Sequence, residues 1–221
     1  SVLFGKGIKG SGNIVTRTID APDFDRVDAA RAVKVVITGK ATGKITIEAD
    51  DNIMEYVVVE AKGGRLTATI DKSVNNVSNA DVTVTVPANG RIRALDASSA
   101  ARITSDVTLT ADKFSIDASS AANIDAAIET GSCTVGASSA SKITLKGSAD
   151  KCSIDMSSAA KLSAAEFTVA DCSVDTSSAA KATVNCTDKL RAEASSGSSI
   201  RYTGDCQTSI SKSSGGSVSR K

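Results

Sequence analysis

One short phrase returns seven times in the second half of the chain, and its spacing leaves few architectures open. It reads Ser98-Ser99-Ala100, Ser119-Ser120-Ala121, Ser138-Ser139-Ala140, Ser157-Ser158-Ala159, Ser177-Ser178-Ala179, Ser195-Ser196-Gly197 and Ser213-Ser214-Gly215. Successive first serines stand 21, 19, 19, 20, 18 and 18 residues apart. A period near twenty marks a solenoid, whose coils bury a face only against their neighbours. It is too short for a strand plus a crossover helix, which takes about thirty residues.

Alignment on the first serine produces apolar columns. Five positions ahead stand Phe114, Cys133, Cys152, Cys172 and Leu190. Three ahead stand Leu95, Ile116, Val135, Ile154, Val174, Ala192 and Ile210, and five behind stand Ile103, Ile124, Ile143, Leu162, Ala182, Ile200 and Val218. Apolar and polar positions alternate, which is strand behaviour. The predicted fold is all-β: a right-handed parallel β-helix whose coils of 18–21 residues are short strands joined by turns, paired coil to coil at about 4.8 Å. The phrase becomes a corner, where an inward serine would bond to backbone or to the serine of the next coil. A second corner is expected at Asp112-Lys113, Asp150-Lys151 and Asp188-Lys189.

Residues 1–90 read as a β region of longer, less regular units, continuous with the regular coils of 91–221. Ile14 to Ile19 is strand-like, and Val33, Val35 and Ile37 alternate, as do Ile45, Ile47 and Ala49. A helical turn is expected over 51–56. Val57, Val59 and Ala61 face Leu66, Ala68 and Ile70 across Gly63-Gly64, a β-hairpin whose glycines accept positive φ. Residues 73–79 read as polar loop, and Val82, Val84 and Val86 as a strand ended by Pro87.

Composition narrows the function classes. The 26 basic and 25 acidic residues nearly cancel, which argues against nucleic acid or an anionic membrane recognised by bulk charge. No apolar run approaches the roughly 20 residues of a membrane helix. No signal peptide is legible at Ser1, as in a mature or trimmed form. The absence of histidine removes Ser-His and Cys-His catalysis and the commonest transition-metal ligand. Aromatic residues make up only 3% of the chain, too few for stacking platforms to be expected. No cofactor, metal site or catalytic residue is predicted.

The five cysteines have no C-x-x-C spacing. Cys133, Cys152 and Cys172 occupy equivalent positions on three coils and should stack inside as small hydrophobes. Coil spacing also falls within the Cα range of a disulfide, although parallel side-chain directions make the dihedral awkward. Cys186 and Cys206 are a second candidate pair on neighbouring coils.

Two outward columns flank the phrase. Two positions before it stand Asp96, Asp117, Gly136, Asp155, Asp175, Glu193 and Ser211; four after it stand Arg102, Asn123, Lys142, Lys161, Lys181, Ser199 and Ser217. One reading is charge compensation across the corner, each exposed pair being worth about 0–1 kcal/mol. The other is a ligand surface for a cation or a cationic partner, against which Ca²⁺ wants six to eight converging oxygens.

The chain also resembles a known family. A Gly-Ser-Gly-Asn strand (Gly10 to Ile19), an Asp-Phe-Asp-Arg-Val segment (Asp23 to Val27), a following V-x-V-x-I strand and repeated A-S-S-A coils are together similar to the putative auto-transporter adhesin head domain, or GIN domain, of Bacteroidetes envelope proteins. The resemblance implies a right-handed β-helix, an exported location in the periplasm or at the cell surface, often with a lipid anchor, and an adhesin-like role. It supplies no catalytic residues. The function expected is non-enzymatic display of an elongated surface to a glycan or protein of the envelope, the alternative being a carbohydrate-active β-helix enzyme with an acidic groove. Ice binding would need a regular T-x-T face, which these coils lack. Self-association is expected at the uncapped last coil.

Overall fold

The computed structural model describes residues 7–221; the first six residues of the Gly-rich start lie outside them. The chain is an all-β solenoid of about seven turns. The three apolar columns stack as the spacing predicts. Leu95, Ile116, Val135, Ile154 and Val174 are successive partners in parallel ladders, as are Ile103, Ile124, Ile143 and Leu162. All nine are at most 2% exposed. One side chain per coil thus meets its counterparts above and below, and the core is a set of continuous stripes rather than a single layer.

The Ser-Ser-Ala phrase is a tight turn built the same way each time. Ala101 N donates to Ser98 O (3.0 Å) and Ala122 N to Ser119 O (3.1 Å). The two central residues hold positive φ: 49° and 62° at Ser99 and Ala100, 54° and 62° at Ser139 and Ala140. Two successive left-handed residues closed by an i to i+3 bond define a type I′ turn. Coils are also joined through the turn itself, since Ala121 N donates to Ser139 O (2.9 Å) and Ala140 N to Ser158 O (2.9 Å).

This geometry corrects the expectation of an inward serine within the phrase. The first serine is half-buried on six coils and exposed on the last, and the second is exposed on all seven; the two left-handed residues, the second serine and the alanine or glycine after it, face outward. The first inward position is the residue after the phrase: Ala101, Ala122, Ser141, Ala160, Ala180 and Ser198. The two serines there do satisfy themselves. Ser141 Oγ donates to Ala118 O (3.0 Å), and Ser198 Oγ lies 2.8 Å from Thr176 Oγ1.

Serine and alanine are poor choices for positive φ, which asparagine and glycine accept readily. Ser139→Asn with Ala140→Gly, both exposed, is therefore expected to raise stability by about 1 kcal/mol, read as a later midpoint in urea. A lower midpoint would mean that the stacked turns depend on their own side chains.

The remaining bends interrupt no strand. Arg102–Ala118, Asn123–Ala137, Lys142–Met156, Lys161–Thr176 and Lys181–Ala194 run 14 to 17 residues each, so the coils are not the short strands joined by turns that the spacing suggests. At Asp112, Gly131, Asp150 and Ala170 the ladders skip one residue. There two successive side chains point outward, as at Asp150 and Lys151, and the sheet turns its expected second corner. Coil-length differences are absorbed elsewhere, where Ser105 to Val107 lie opposite Ala126 and where Ala164 and Ala165 lie opposite Leu145. The register around Ser-Ser-Ala never slips.

Residues before 90 join the same stack. Val27 pairs with Leu95 and Leu66, and Val35 with Ile103 and Val84. The hairpin forms with the expected partners (Val57↔Ile70, Val59↔Ala68, Ala61↔Leu66), and Gly63 and Gly64 hold φ of 60° and 80°. Its strand Val57–Lys62 closes one edge of the sheet. The helical turn is a 3-10 turn at Met54–Tyr56. The segment read as polar loop contains a short strand, Asn76–Ser78, which Gly7–Lys9 pairs in parallel.

Candidate functional site

Strand alternation sets the chemistry of one face. Where Phe114, Ile116 and Ala118 point into the core, Lys113, Ser115 and Asp117 point out. Parallel register repeats that choice on every coil, so the outward face carries three stripes along the solenoid. One rim is basic but interrupted: Lys113, Ser132, Lys151, Asp171 and Lys189 follow one another in register. The middle holds the hydroxyls Ser115, Thr134, Ser153 and Ser173. The other rim is acidic: Asp96, Asp117, Asp155, Asp175 and Glu193, in register with Gly136 and Ser211. Beyond the corner runs the basic column of Arg102, Asn123, Lys142, Lys161 and Lys181.

Both columns reach further than the phrase suggests. Asp28 pairs with Asp96, and Lys34 with Arg102. Their corner, Ala30-Arg31-Ala32-Val33, is the same turn: Val33 N donates to Ala30 O (3.2 Å), and Arg31 and Ala32 hold φ of 55° and 62°. The signal was present in Val27-Asp28-Ala29, which matches Leu95-Asp96-Ala97, and in Lys34-Val35, which matches Arg102-Ile103.

The structure places the two columns on opposite sides of the corner and does not join them. Among the described residues no ion pair links any of Arg102, Lys142, Lys161 or Lys181 to the acidic column. Compensation arises instead from the acidic column's own face. Arg191 reaches Asp175 (2.9 Å) and Glu193 (3.0 Å), and Arg65 reaches Asp28 (3.2 Å). Among the described residues, Asp96, Asp117 and Asp155 form no ion pair.

Those three line a shallow groove of about 520 Å³ with Gly136, Ser119 and Ser138. Gly136 makes room for it. A Cβ there would collide with the Asp117 carboxylate, which leans across the gap. Desolvation in the groove pushes the Asp96 carboxyl above its usual range, helped by the negative charges of Asp28 and Asp117. Desolvation raises Asp117 as well. A second groove of about 520 Å³ runs beside the first between the basic rim and the hydroxyl stripe. No group of three or more acidic or cysteine side chains among the described residues is arranged to hold a metal ion.

A carboxyl raised in the folded state favours the neutral form there, so at pH 7 the fold bears the cost of ionising it. Asp96→Asn and Asp117→Asn are therefore expected to raise stability slightly at pH 7. The gain should vanish as pH falls through the folded-state value toward about 3.9, the unfolded one, where wild type takes up the proton itself. Asp155→Ala should change stability by less than about 1 kcal/mol. Urea melts at pH 7 and pH 4 check all three; a loss above about 2 kcal/mol at pH 7 would make the stripe a structural support.

The family model of the putative auto-transporter adhesin, head GIN domain, matches residues 23–206. The chain belongs to that family. A putative adhesin from Bacteroides fragilis is similar in fold, with TM-score 0.85 at 22% identity, covering 97% of this chain and 100% of that one. A putative adhesin from Parabacteroides merdae aligns with TM-score 0.74 at 18% identity over 97% and 99% of the two chains. A putative lipid binding protein from Parabacteroides distasonis aligns with TM-score 0.77 at 17% identity over 98% and 100%. No curated protein matches the chain. At these identities the neighbours speak for the solenoid of the GIN domain family and not for any residue of its surface. Among the described residues, no helix is long and apolar enough to cross a membrane.

Proposed function

We propose that this GIN domain is an exported, non-enzymatic solenoid whose acidic, hydroxyl and basic stripes form one elongated surface for a glycan or protein of the envelope, the glycan being the reading tested first. One observation carries the proposal: Asp96 and Asp117 stack as like charges, with no ion pair to either among the described residues and only the more distant Arg65 opposing the repulsion at Asp96, in a groove that holds them partly out of water. The fold gains nothing from that arrangement, and perturbed carboxyls in a groove are common where a ligand binds. The adhesin family and the adhesin-named neighbours fit the same role. Export and a position at the cell surface belong to the proposal, as does self-association at the strand Gln207–Lys212, which is exposed throughout.

Binding is tested on a glycan array with wild type beside Asp96→Asn/Asp117→Asn. Loss of the bound glycans in a variant that melts no lower than wild type supports the surface. Equal binding by both proteins moves the site elsewhere.

A second reading has one observation in its favour. Asp96 and Asp117 sit one coil apart, about 4.8 Å along the stack, close to the carboxyl separation used by retaining glycosidases. Against it, the two stand side by side on a flat face instead of flanking a cleft. Release of reducing ends from an acidic or neutral polysaccharide, abolished by Asp117→Asn, would establish it.

A further inference from the structure

Cys133, Cys152 and Cys172 follow one another in an inward column and are direct partners in the ladders of adjacent coils. All three are buried. The lower two are far closer than packing alone requires: Cys133 Sγ lies 2.6 Å from Cys152 Sγ, across 19 residues of sequence. Cys172 stands next in the same column, under Leu190. We propose that Cys133 and Cys152 form a disulfide between neighbouring coils when the chain folds under oxidising conditions, and that Cys172 stays a thiol.

The chemistry is a thiol–disulfide exchange with a small-molecule or protein disulfide as oxidant. One thiolate attacks the oxidant and expels a thiol, giving a mixed disulfide. The second cysteine attacks the protein sulfur of that bond and expels the other thiol. Two protons and two electrons leave the pair, and the oxidant is reduced to two thiols. The timing follows from burial. Contact with Cys133 and desolvation drive the Cys152 thiol far above its usual range, so in the closed solenoid Cys152 offers almost no reactive thiolate. The bond therefore forms before the coils close and resists reductant afterwards. It would staple the middle of a stack in which each coil touches only its neighbours.

The bond's occurrence in the cell rests on the export proposed above; the geometry does not. The test is refolding from urea in a mixture of reduced and oxidised glutathione, followed by thiol alkylation and trypsin. Cleavage after Lys113, Lys142, Lys151, Lys161 and Lys181 puts the three cysteines on separate peptides, 114–142, 152–161 and 162–181. The expected product joins 114–142 to 152–161 and melts roughly 5–10 °C above protein refolded in dithiothreitol. The link should persist in Cys172→Ala and be lost in Cys133→Ala. Three unlinked peptides, or 152–161 joined mainly to 162–181, would overturn the pairing. If the link forms on refolding but the protein recovered from its own cells has all five thiols free, export is what fails.

Discussion

Ile154→Asp is expected to abolish the cooperative folding of this solenoid at neutral pH. Ile154 is 2% exposed and stands in the ladder between Val135 and Val174, themselves 2% and 0% exposed. A carboxylate there has no cation to meet and loses its water. An unpaired buried charge of this kind costs on the order of 4–5 kcal/mol or more, against a total stability of roughly 5–15 kcal/mol for a domain. The damage reaches both adjoining interfaces, because each coil is held only by the coils beside it. The same column supplies its own control. Ile210 occupies the equivalent position on the last coil but is 41% exposed, so Ile210→Asp should cost less than about 1 kcal/mol. Thermal and urea melts by circular dichroism separate the two; similar losses from both would mean that depth in the stack does not set the energetics.

That contrast also shows what could be read from the sequence. The columns were legible because a parallel solenoid converts a sequence period into direct contact: residues one coil apart lie side by side on neighbouring strands, facing the same side of the sheet, and must agree in polarity. Ile116, Val135, Ile154 and Val174 agree, and the structure pairs them. Ala30-Arg31-Ala32 does not announce itself as a corner, since it lacks the Ser-Ser pair, although its turn is the same. The turn depends on backbone conformation, and residues other than serine adopt it, here Arg31 and Ala32. The acidic column was legible as a row but not as a groove, since the groove depends on Asp117 leaning over a missing side chain at Gly136. Nor did spacing reveal where counter-ions lie. Arg191 is two residues from Glu193 on the same strand and sits in register beside Ser173, which brings it to Asp175 on the next coil, whereas Lys181 points away beyond the corner.

Gly147→Ala is expected to cost about 3 kcal/mol or more, from a position whose sequence context suggests nothing special. Register sets Gly147 between Ile128 and Phe167, both buried, so by polarity alone a larger apolar residue would look welcome there. Two features forbid it. Its φ is +109°, a region that residues with a Cβ rarely enter. A Cβ built on it would also overlap the Ile128 carbonyl oxygen and lie 2.9 Å from the carbonyl carbon. Those atoms are backbone of the adjoining coil, held in the ladder, and cannot swing aside as a side chain would. Gly12→Ala separates the two causes, because Gly12 has φ +81° but nothing within 4 Å of an added Cβ; it should cost only about 1 kcal/mol. The difference between the two variants measures the close approach of neighbouring coils at Gly147. Equal midpoints in urea would mean that the coils are not in contact at Gly147.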